Sequence, residues 1–205
     1  MQIIYHPKPF KLKELPLTDI HVIDNWLTPE VQKWFNSGID DSFWSLSNCV
    51  LAPDGSYNHR FWGIPFCVEG DPETKVASHI KTHLGSVLNI RLQKQFGFRW
   101  KRFSYMGMNG QTQSQEGTIH VDSDSALNIS FLYYNNETWK PEWGGQLHFY
   151  EGEKGNEKKI ASIDFVPNRL LLFDGRIPHQ ADAPIDNQYQ FRTSLVVRGE
   201  EAELV

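Results

Sequence analysis

The sequence predicts an α+β chain that is mainly β: a double-stranded β-helix (jelly roll) flanked by helices on its N-terminal side. Three observations predict it. Helix-period apolar stripes and helix punctuation are confined to residues before Gly97. From Phe98 onward, about eight short apolar runs alternate with turn residues, the mark of strands. One run, "NISFLYY", sorts into an apolar face of Ile129, Phe131 and Tyr133 and a mixed face of Asn128, Ser130, Leu132 and Tyr134. A strand between an oily core and a polar-lined pocket reads this way, and the order of elements suits helices packed on a double sheet.

Taken in order, residues 21–24 read as a short strand leading to a helix. Thr28 is its expected N-cap, Pro29 its first position and Glu30 a first-turn acid; Val31, Trp34 and Phe35 share a stripe and Gly38 is its expected end. Residues 41–66 are aromatic and irregular, with a turn signal at Pro53-Asp54-Gly55. A second helix is expected over residues 71–95, striped by Val76, Ile80, Leu84, Val87 and Leu92 and closed by Gly97. The strands then read as "FRWKRFSYMGM", "TIHVD", "ALNISFLYYNN", "GQLHFYE", "KIASIDFVP", "RLLLFDG", "PHQAD" and "QFRTSLVVR". Residues 109–116 read as a Gln-rich loop, Pro141 to Gly145 as a break and Asp174-Gly175 as a hairpin-type turn. Residues 1–205 are thus expected to be one domain: 1–97 as helical and irregular support, 98–198 as jelly-roll core, 199–205 as a frayed acidic tail.

Composition narrows the function classes. The chain has 205 residues, net charge −5 and 13 Phe with 7 Trp, which suits a soluble protein with large side chains filling a core or lining a pocket. A pI near 5.9 argues against a nucleic-acid partner. The stretch "MQIIYHPKPFKLKELP" is too polar for a secretory leader and no apolar run approaches a membrane span, so the expected location is cytoplasmic. Cys49 and Cys67 make no disulfide framework and are expected to be buried thiols.

The chemistry centres on "GTIHVDSD". On a strand, His120 and Asp122 point to one side while Val121 points away. Two imidazoles and one carboxylate on one face of a metal leave positions for a co-substrate and dioxygen, a set that suits Fe(II). His179, on a later strand after a tight turn, is the best third ligand. His79 and His83 lie at helical spacing without a third partner, and read as a helix face. His148 lacks a nearby carboxylate, and His6, His21 and His59 carry no pattern. A keto-acid co-substrate such as 2-oxoglutarate would bury a far carboxylate, which needs a fixed cation. Arginine serves best, with its planar fork. Arg192 shares a strand face with Ser194; Arg102 and Ser104 repeat the motif elsewhere.

The ordered series His120-x-Asp122, His179, Arg192-x-Ser194 resembles the Fe(II)/2-oxoglutarate-dependent dioxygenase superfamily, and more narrowly its prolyl 4-hydroxylase-like branch. "VIDNWLTPE", "FLYYNNETWKPEWGGQLHFY" and "RLLLFDGRIPHQA" resemble segments of that branch in the same order, over about residues 19–198. The resemblance implies iron on His120, Asp122 and His179, with 2-oxoglutarate and O2 as co-substrates, ascorbate compatible with them, and the far carboxylate on Arg192. It also implies that Tyr134 assists Arg192, with Ser194 and Tyr105 as further contacts. With Asp122 present, the site does not resemble the halogenating variants. The gap "ADAPIDNQYQ" before Arg192 is longer than in many prolyl hydroxylases and is expected to bulge. The implied reaction hydroxylates an unactivated C–H bond of a small molecule or peptide, a prolyl or proline-like group included. The competing reading is a cupin-like metal jelly roll, an isomerase or ligand-binding module, which gives Arg192 no task. A catalytically dead binding domain or a nucleic-acid demethylase is disfavoured by the intact triad and the acidic pI respectively. The aromatic 43–66 stretch, with Trp44, Tyr57, Arg60 and Trp62, is a candidate for a cover over the metal, and the 109–116 loop for a lid.

Overall fold

A computed structural model describes residues 1–8, 10–14, 18–51, 57–67, 79–124, 128–185 and 191–205. Its elements are β1 (Ile3–Tyr5), β2 (Ile20–Ile23), α1 (Pro29–Asp40), β3 (Ser45–Leu51), β4 (Tyr57–Pro65), α2 (His83–Phe96), β5 (Phe98–Gln111), β6 (Asn128–Tyr134), β7 (Leu147–Glu151), β8 (Lys158–Ile163), β9 (Leu170–Asp174), β10 (His179–Ala181) and β11 (Arg192–Leu204). The larger sheet runs β1-β2-β9-β6-β11-β5-β4-β3 and the smaller β10-β7-β8. This is the expected jelly roll.

The two faces of β6 divide as their residue types require. Ile129, Phe131 and Tyr133 join Phe35 of α1, Leu88, Leu92 and Phe96 of α2, and Met106 and Met108 of β5 in one core. Between the sheets, Tyr134 joins Leu147, Phe149, Phe165, Leu171 and Phe173 in a second. The helices therefore cover one side of the large sheet, and the cavity opens on the other.

Several expectations are corrected. The second helix starts at His83, because Ile80 bridges Cys67 and the Lys81 N–H donates to Phe66 O (2.8 Å), keeping the chain extended until Thr82. The Thr82 hydroxyl then accepts the Gly85 N–H at 3.0 Å as N-cap. His79 thus precedes the helix and shares no helical face with His83. Val76 lies outside the described residues. Gly97 does close the helix, in the left-handed region at φ 68°. Gly38 does not end α1; it sits inside it, and a Cβ there would lie 3.3 Å from Leu84 Cδ2 of α2. Its missing side chain serves helix–helix approach. The supposedly irregular 41–66 stretch contains the hairpin β3–β4, which extends the sheet beyond β5; its turn at residues 53–55 lies outside the described residues. Nor is the tail frayed: β11 continues to Leu204, paired with Phe98. The register shifts between Arg198 and Gly199, where a Cβ would fall 2.1 Å from the Trp100 ring. Asp174-Gly175 turns the chain from the large sheet into the small one and forms no hairpin. Cys67 is a buried thiol outside any disulfide, its Sγ accepting the Met106 N–H at 3.4 Å.

Two buried or enclosed phenols set an alkaline limit on stability. Burial pushes Tyr105 up to about 12, with Arg198 opposing, and Tyr134 up to about 12, with Arg192 opposing. A phenol raised above its unfolded value of 10.0 holds its proton longer in the folded chain, so stability is full below that value and is lost as pH rises toward about 12. The urea midpoint is expected to stay flat to the unfolded phenol value and then fall; a flat profile beyond pH ~11 contradicts the assignment. In the core between sheet and helices, Phe131→Ala is expected to lower unfolding free energy by roughly 3–5 kcal/mol, read by chemical denaturation.

Candidate metal centre and active site

Residues 117–122 form no regular strand, contrary to the reading of "TIHVD". They are zipped onto the chain around β10. The Gly117 N–H donates to Ala181 O (2.9 Å), Gln180 Nε2 to Gly117 O (2.7 Å), and the Asp122 N–H to Gly175 O (2.7 Å). His120 and His179 exchange both backbone hydrogen bonds, at 3.1 and 2.9 Å. A Cβ on Gly117 would sit 2.8 Å from Ala181 O, so glycine permits this approach.

That zipper aligns the side chains. The two imidazole centroids stand 4.5 Å apart. Each ring lies against a backbone carbonyl through Nδ1: His120 on Thr118 O (2.8 Å) and His179 on Ile177 O (2.9 Å). A carbonyl only accepts, so Nδ1 carries the hydrogen and a neutral ring keeps its lone pair on Nε2. Both Nε2 atoms face Asp122 Oδ1, at 3.6 and 3.7 Å. The other oxygen, Oδ2, accepts from Ser130 Oγ at 2.6 Å. One ligand atom from each of the three residues lies within 4.8 Å of the others.

Electrostatics prepare these groups for a cation. Burial, then neighbouring His179, lowers His120 to about 3 and keeps it neutral. Burial would raise the Asp122 carboxyl, but Arg198, His179, His120 and the Ser130 hydroxyl outweigh it and bring it to about 2. Asp122 Oδ1 is buried without a hydrogen bond; Arg198 Nε stands 3.0 Å away in poor alignment and is likewise unbonded. Two lone pairs and a carboxylate oxygen converge, which favours a bound dication. The donor set, two neutral imidazoles and one carboxylate, fits Fe(II). Nδ1 contacts and Ser130 are the outer partners that fix ligand orientation.

Arg192 occupies the same cavity and is 1% exposed. Its Nε donates to Gly145 O (2.9 Å) and its Nη1 to Gln111 Oε1 (2.7 Å), both neutral acceptors, while Nη2 is buried without a partner. Gly145, at φ 79°, admits this contact: a Cβ would lie 3.0 Å from Arg192 Cδ. Burial lowers the Arg192 pKa, with Tyr134 and Asp182 opposing. A buried guanidinium with a spare N–H fits an incoming carboxylate. Ser194 lies on the wall beside it. Tyr134 stands behind the wall, its ring stacked on Phe165 at 4.2 Å and 5.3 Å from the Arg192 Cζ; its hydroxyl is buried without a hydrogen bond. Tyr105 lies under the Arg198 guanidinium, 5.5 Å from ring centroid to Cζ, and is no wall residue. Arg102 is in register with Glu200, beyond Arg198, and its side chain lies outside the described residues. The cavity encloses about 120 Å³ and opens to solvent at its mouth.

Four supporting residues escaped the sequence reading. Gln111 was assigned to a loop, but β5 runs through it. Ser130 was placed on the pocket face without a task. Gly145 read only as a break. Arg198 shares the pocket parity of Arg192, Ser194 and Val196, a period-two signal that was available. The 109–116 segment is no free lid: Thr112 N–H and the Gln111 side chain bond to Gln115, Gln115 Nε2 donates to Arg60 O (3.0 Å), and Glu116 accepts the Ala183 N–H (2.9 Å). From the aromatic stretch Phe61 reaches the cavity, while Trp44 packs on Phe191; the Tyr57 side chain lies outside the described residues. His148 does meet a carboxylate, Asp182 Oδ2 at 2.6 Å, with Ser162 Oγ on its other nitrogen at 2.7 Å. This bond, across 34 residues, ties β7 to the end of β10 and was invisible to local spacing.

The sequence model of the 2OG-Fe(II) oxygenase superfamily matches residues 104–197, which include all three converging ligands and Arg192. No curated protein matches the chain. Among solved structures, a Pseudomonas putida prolyl-4-hydroxylase is 17% identical, covering 89% of this chain and 92% of its own, with TM-score 0.55. A Trichoplax adhaerens prolyl hydroxylase, solved with a hypoxia inducible factor peptide fragment, is 17% identical over 88% and 83%, with TM-score 0.53. A Burkholderia pseudomallei oxidoreductase of the 2OG-Fe(II) oxygenase family is 11% identical over 90% and 86%, with TM-score 0.60. These structures share the fold, and the superfamily model falls on the segment that builds the cavity. Residues 104–197 thus match the 2OG-Fe(II) oxygenase superfamily model, and the chain shares the fold of the prolyl-4-hydroxylase structures.

Proposed function

We propose that His120, Asp122 and His179 hold Fe(II), that Arg192 binds the far carboxylate of 2-oxoglutarate, and that the chain hydroxylates an unactivated C–H bond of a small molecule or peptide. The observation that carries this reading is a pairing of two unmet demands in one cavity. Asp122 Oδ1 with two imidazole lone pairs favours a dication, and Arg192 Nη2 lacks an acceptor. Iron and 2-oxoglutarate together answer both.

When bound, the iron supplies dioxygen activation: 2-oxoglutarate, O2 and R–H become succinate, CO2 and R–OH. The chain's own residues do the placing. His120 and His179 present Nε2 because Thr118 O and Ile177 O hold Nδ1–H. Ser130 fixes Asp122 by its outer oxygen. Gln111 and Gly145 O hold Arg192 with one N–H left toward the cavity. Ser194 adds a hydroxyl on the same wall and Tyr134 backs the guanidinium. Leu132, Leu147 and Phe173 supply apolar wall that excludes water. Residues 1–205 act as one catalytic unit. Among the described residues no helix is long and apolar enough to cross a membrane, and we take the setting to be cytoplasmic. The Trichoplax relative was solved with a peptide, which supports peptide substrates here, prolyl groups among them, beside small molecules. A metal jelly roll without 2-oxoglutarate leaves Arg192 buried with neither counter-ion nor use.

The deciding experiment is anaerobic titration with Fe(II) and then 2-oxoglutarate, followed by oxygen and a succinate assay. A weak visible charge-transfer band and succinate formation are expected; a protein that binds metal but never 2-oxoglutarate belongs to the cupin-like class instead. His120→Ala is expected to abolish succinate formation, and full turnover by that variant sinks the triad. Arg192→Ala should raise the 2-oxoglutarate requirement about 10- to 100-fold, the equivalent of one lost charged hydrogen bond, while iron affinity holds. Ser130→Ala, which frees Asp122 Oδ2, should weaken Fe(II) binding roughly 10- to 100-fold with an unchanged circular dichroism spectrum.

A further inference from the structure

Arg198 holds the Asp122 carboxyl low in the metal-free chain, and it also stands on the cavity wall beside the triad with no task toward a bound molecule. On β11 the side chains of Arg192, Ser194, Val196 and Arg198 alternate onto one face. The two arginines are six residues apart, roughly 20 Å along an extended strand. Arg192 is sealed in the interior. The Arg198 side chain is 26% exposed and stands where an incoming molecule can meet it.

Charge counting makes Arg198 conspicuous. Among the described residues, the wall carries one carboxylate, Asp122, against two guanidinium groups. As metal ligands the two histidines would count as neutral, each with its hydrogen on Nδ1 toward a carbonyl. Ferrous iron is a dication and 2-oxoglutarate a dianion, so loading the site leaves the sum unchanged at one positive charge. Arg192 is answered by the co-substrate and Asp122 by the metal. Glu116 and Asp182 lie off the wall and are engaged by the Ala183 N–H and by His148. The uncompensated charge is that of Arg198.

The geometry agrees. Arg198 Nε approaches Asp122 Oδ1 at 3.0 Å but makes no aligned hydrogen bond. That same oxygen faces both histidine Nε2 atoms, so a dication held there would offset the carboxylate charge that Arg198 now faces. Tyr105 lies beneath the Arg198 guanidinium and supports it by its ring.

We infer that Arg198 recognises a carboxylate on the substrate, so that this enzyme acts on an anionic small acid or on a peptide that brings a carboxylate to the metal. The inference rests on the oxygenase reading. It sets a specificity element at the metal end of the strand whose other end serves the co-substrate.

The test reads binding, without turnover. Anaerobic protein loaded with Fe(II) and 2-oxoglutarate is titrated with the proteinogenic amino acids and their carboxamides, and with N-acetylated peptides ending in a free or amidated terminus. Perturbation of the charge-transfer band reports binding. At least one acid is expected to bind about tenfold or more tightly than its own amide, as loss of a charged partner implies. On protein saturated with Fe(II) and 2-oxoglutarate, Arg198→Gln should erase that preference and Arg198→Lys should keep part of it. Discrimination among free amino acids supports a small acid, and discrimination confined to peptides supports a peptide carboxylate. Equal binding of acids and amides, or a panel in which no acid binds, overturns the inference. So does an Arg198→Gln protein that loses Fe(II) or 2-oxoglutarate affinity about tenfold, which assigns the guanidinium to Asp122 or to the co-substrate. If the band never forms in the unaltered protein, the oxygenase reading has failed, and this inference with it.

Discussion

The reciprocal backbone hydrogen bonds between His120 and His179 are the constraint on which the centre depends. The two residues are 59 positions apart, and only this pairing makes their imidazoles neighbours. Direction then follows from strand-like parity: with His120 aimed inward, Asp122 also faces inward and Val121 faces solvent, 39% exposed. The small sheet holds His179 through its register with Phe149, and the large sheet supplies Ser130 and Arg198 beside Asp122. The site is therefore a product of the two-layer architecture. Neither sheet alone carries it.

Polar atoms in this interior are satisfied in an uneven way. Backbone groups around the triad are paired, as buried amides must be. The orphans are side-chain atoms, and several cluster along the cavity strand or its neighbours: Asp122 Oδ1, Tyr134 Oη, Arg192 Nη2 and Arg198 Nε. Leaving such atoms buried is costly unless something arrives to meet them. Three of them, on Asp122, Arg192 and Arg198, border one cavity, which suits visitors of opposite charge.

Much of this was legible from one chain. Period-two alternation in "NISFLYY" separated the helix-facing and cavity-facing sides of β6, because burial on both faces with different chemistry leaves that imprint. Gly97 was readable as a helix end since only glycine is at ease at φ 68°. What failed was what lacks a local signature. Gly38 looks like a terminator in sequence but is a spacing device between two helices. Residues 199–204 look like a polar tail because three glutamates stand among them, yet their backbone pairs with β5 as far as Leu204. The β3–β4 hairpin was hidden by aromatic residues that fit strand and loop alike. Gln111 was hidden by its Gln-rich surroundings, and the His148–Asp182 contact by distance along the chain. The ligands themselves were found because metal chemistry restricts the residue types, whereas the residues that hold them in place draw on a wider choice.

The sheet order has a consequence for assembly. β5 and β6 do not pair with each other; β11 lies between them and pairs with both. Before β11 is in place, the large sheet exists as two separate ribbons, β3-β4-β5 and β1-β2-β9-β6, each with an open edge. The pocket straddles the seam between them. On a ribosome, both edges must wait for a strand made after every other one described here, and open edges invite wrong partners. The strand that completes the barrel also brings both cavity arginines, so closure of the fold and arrival of the binding charges are a single late event.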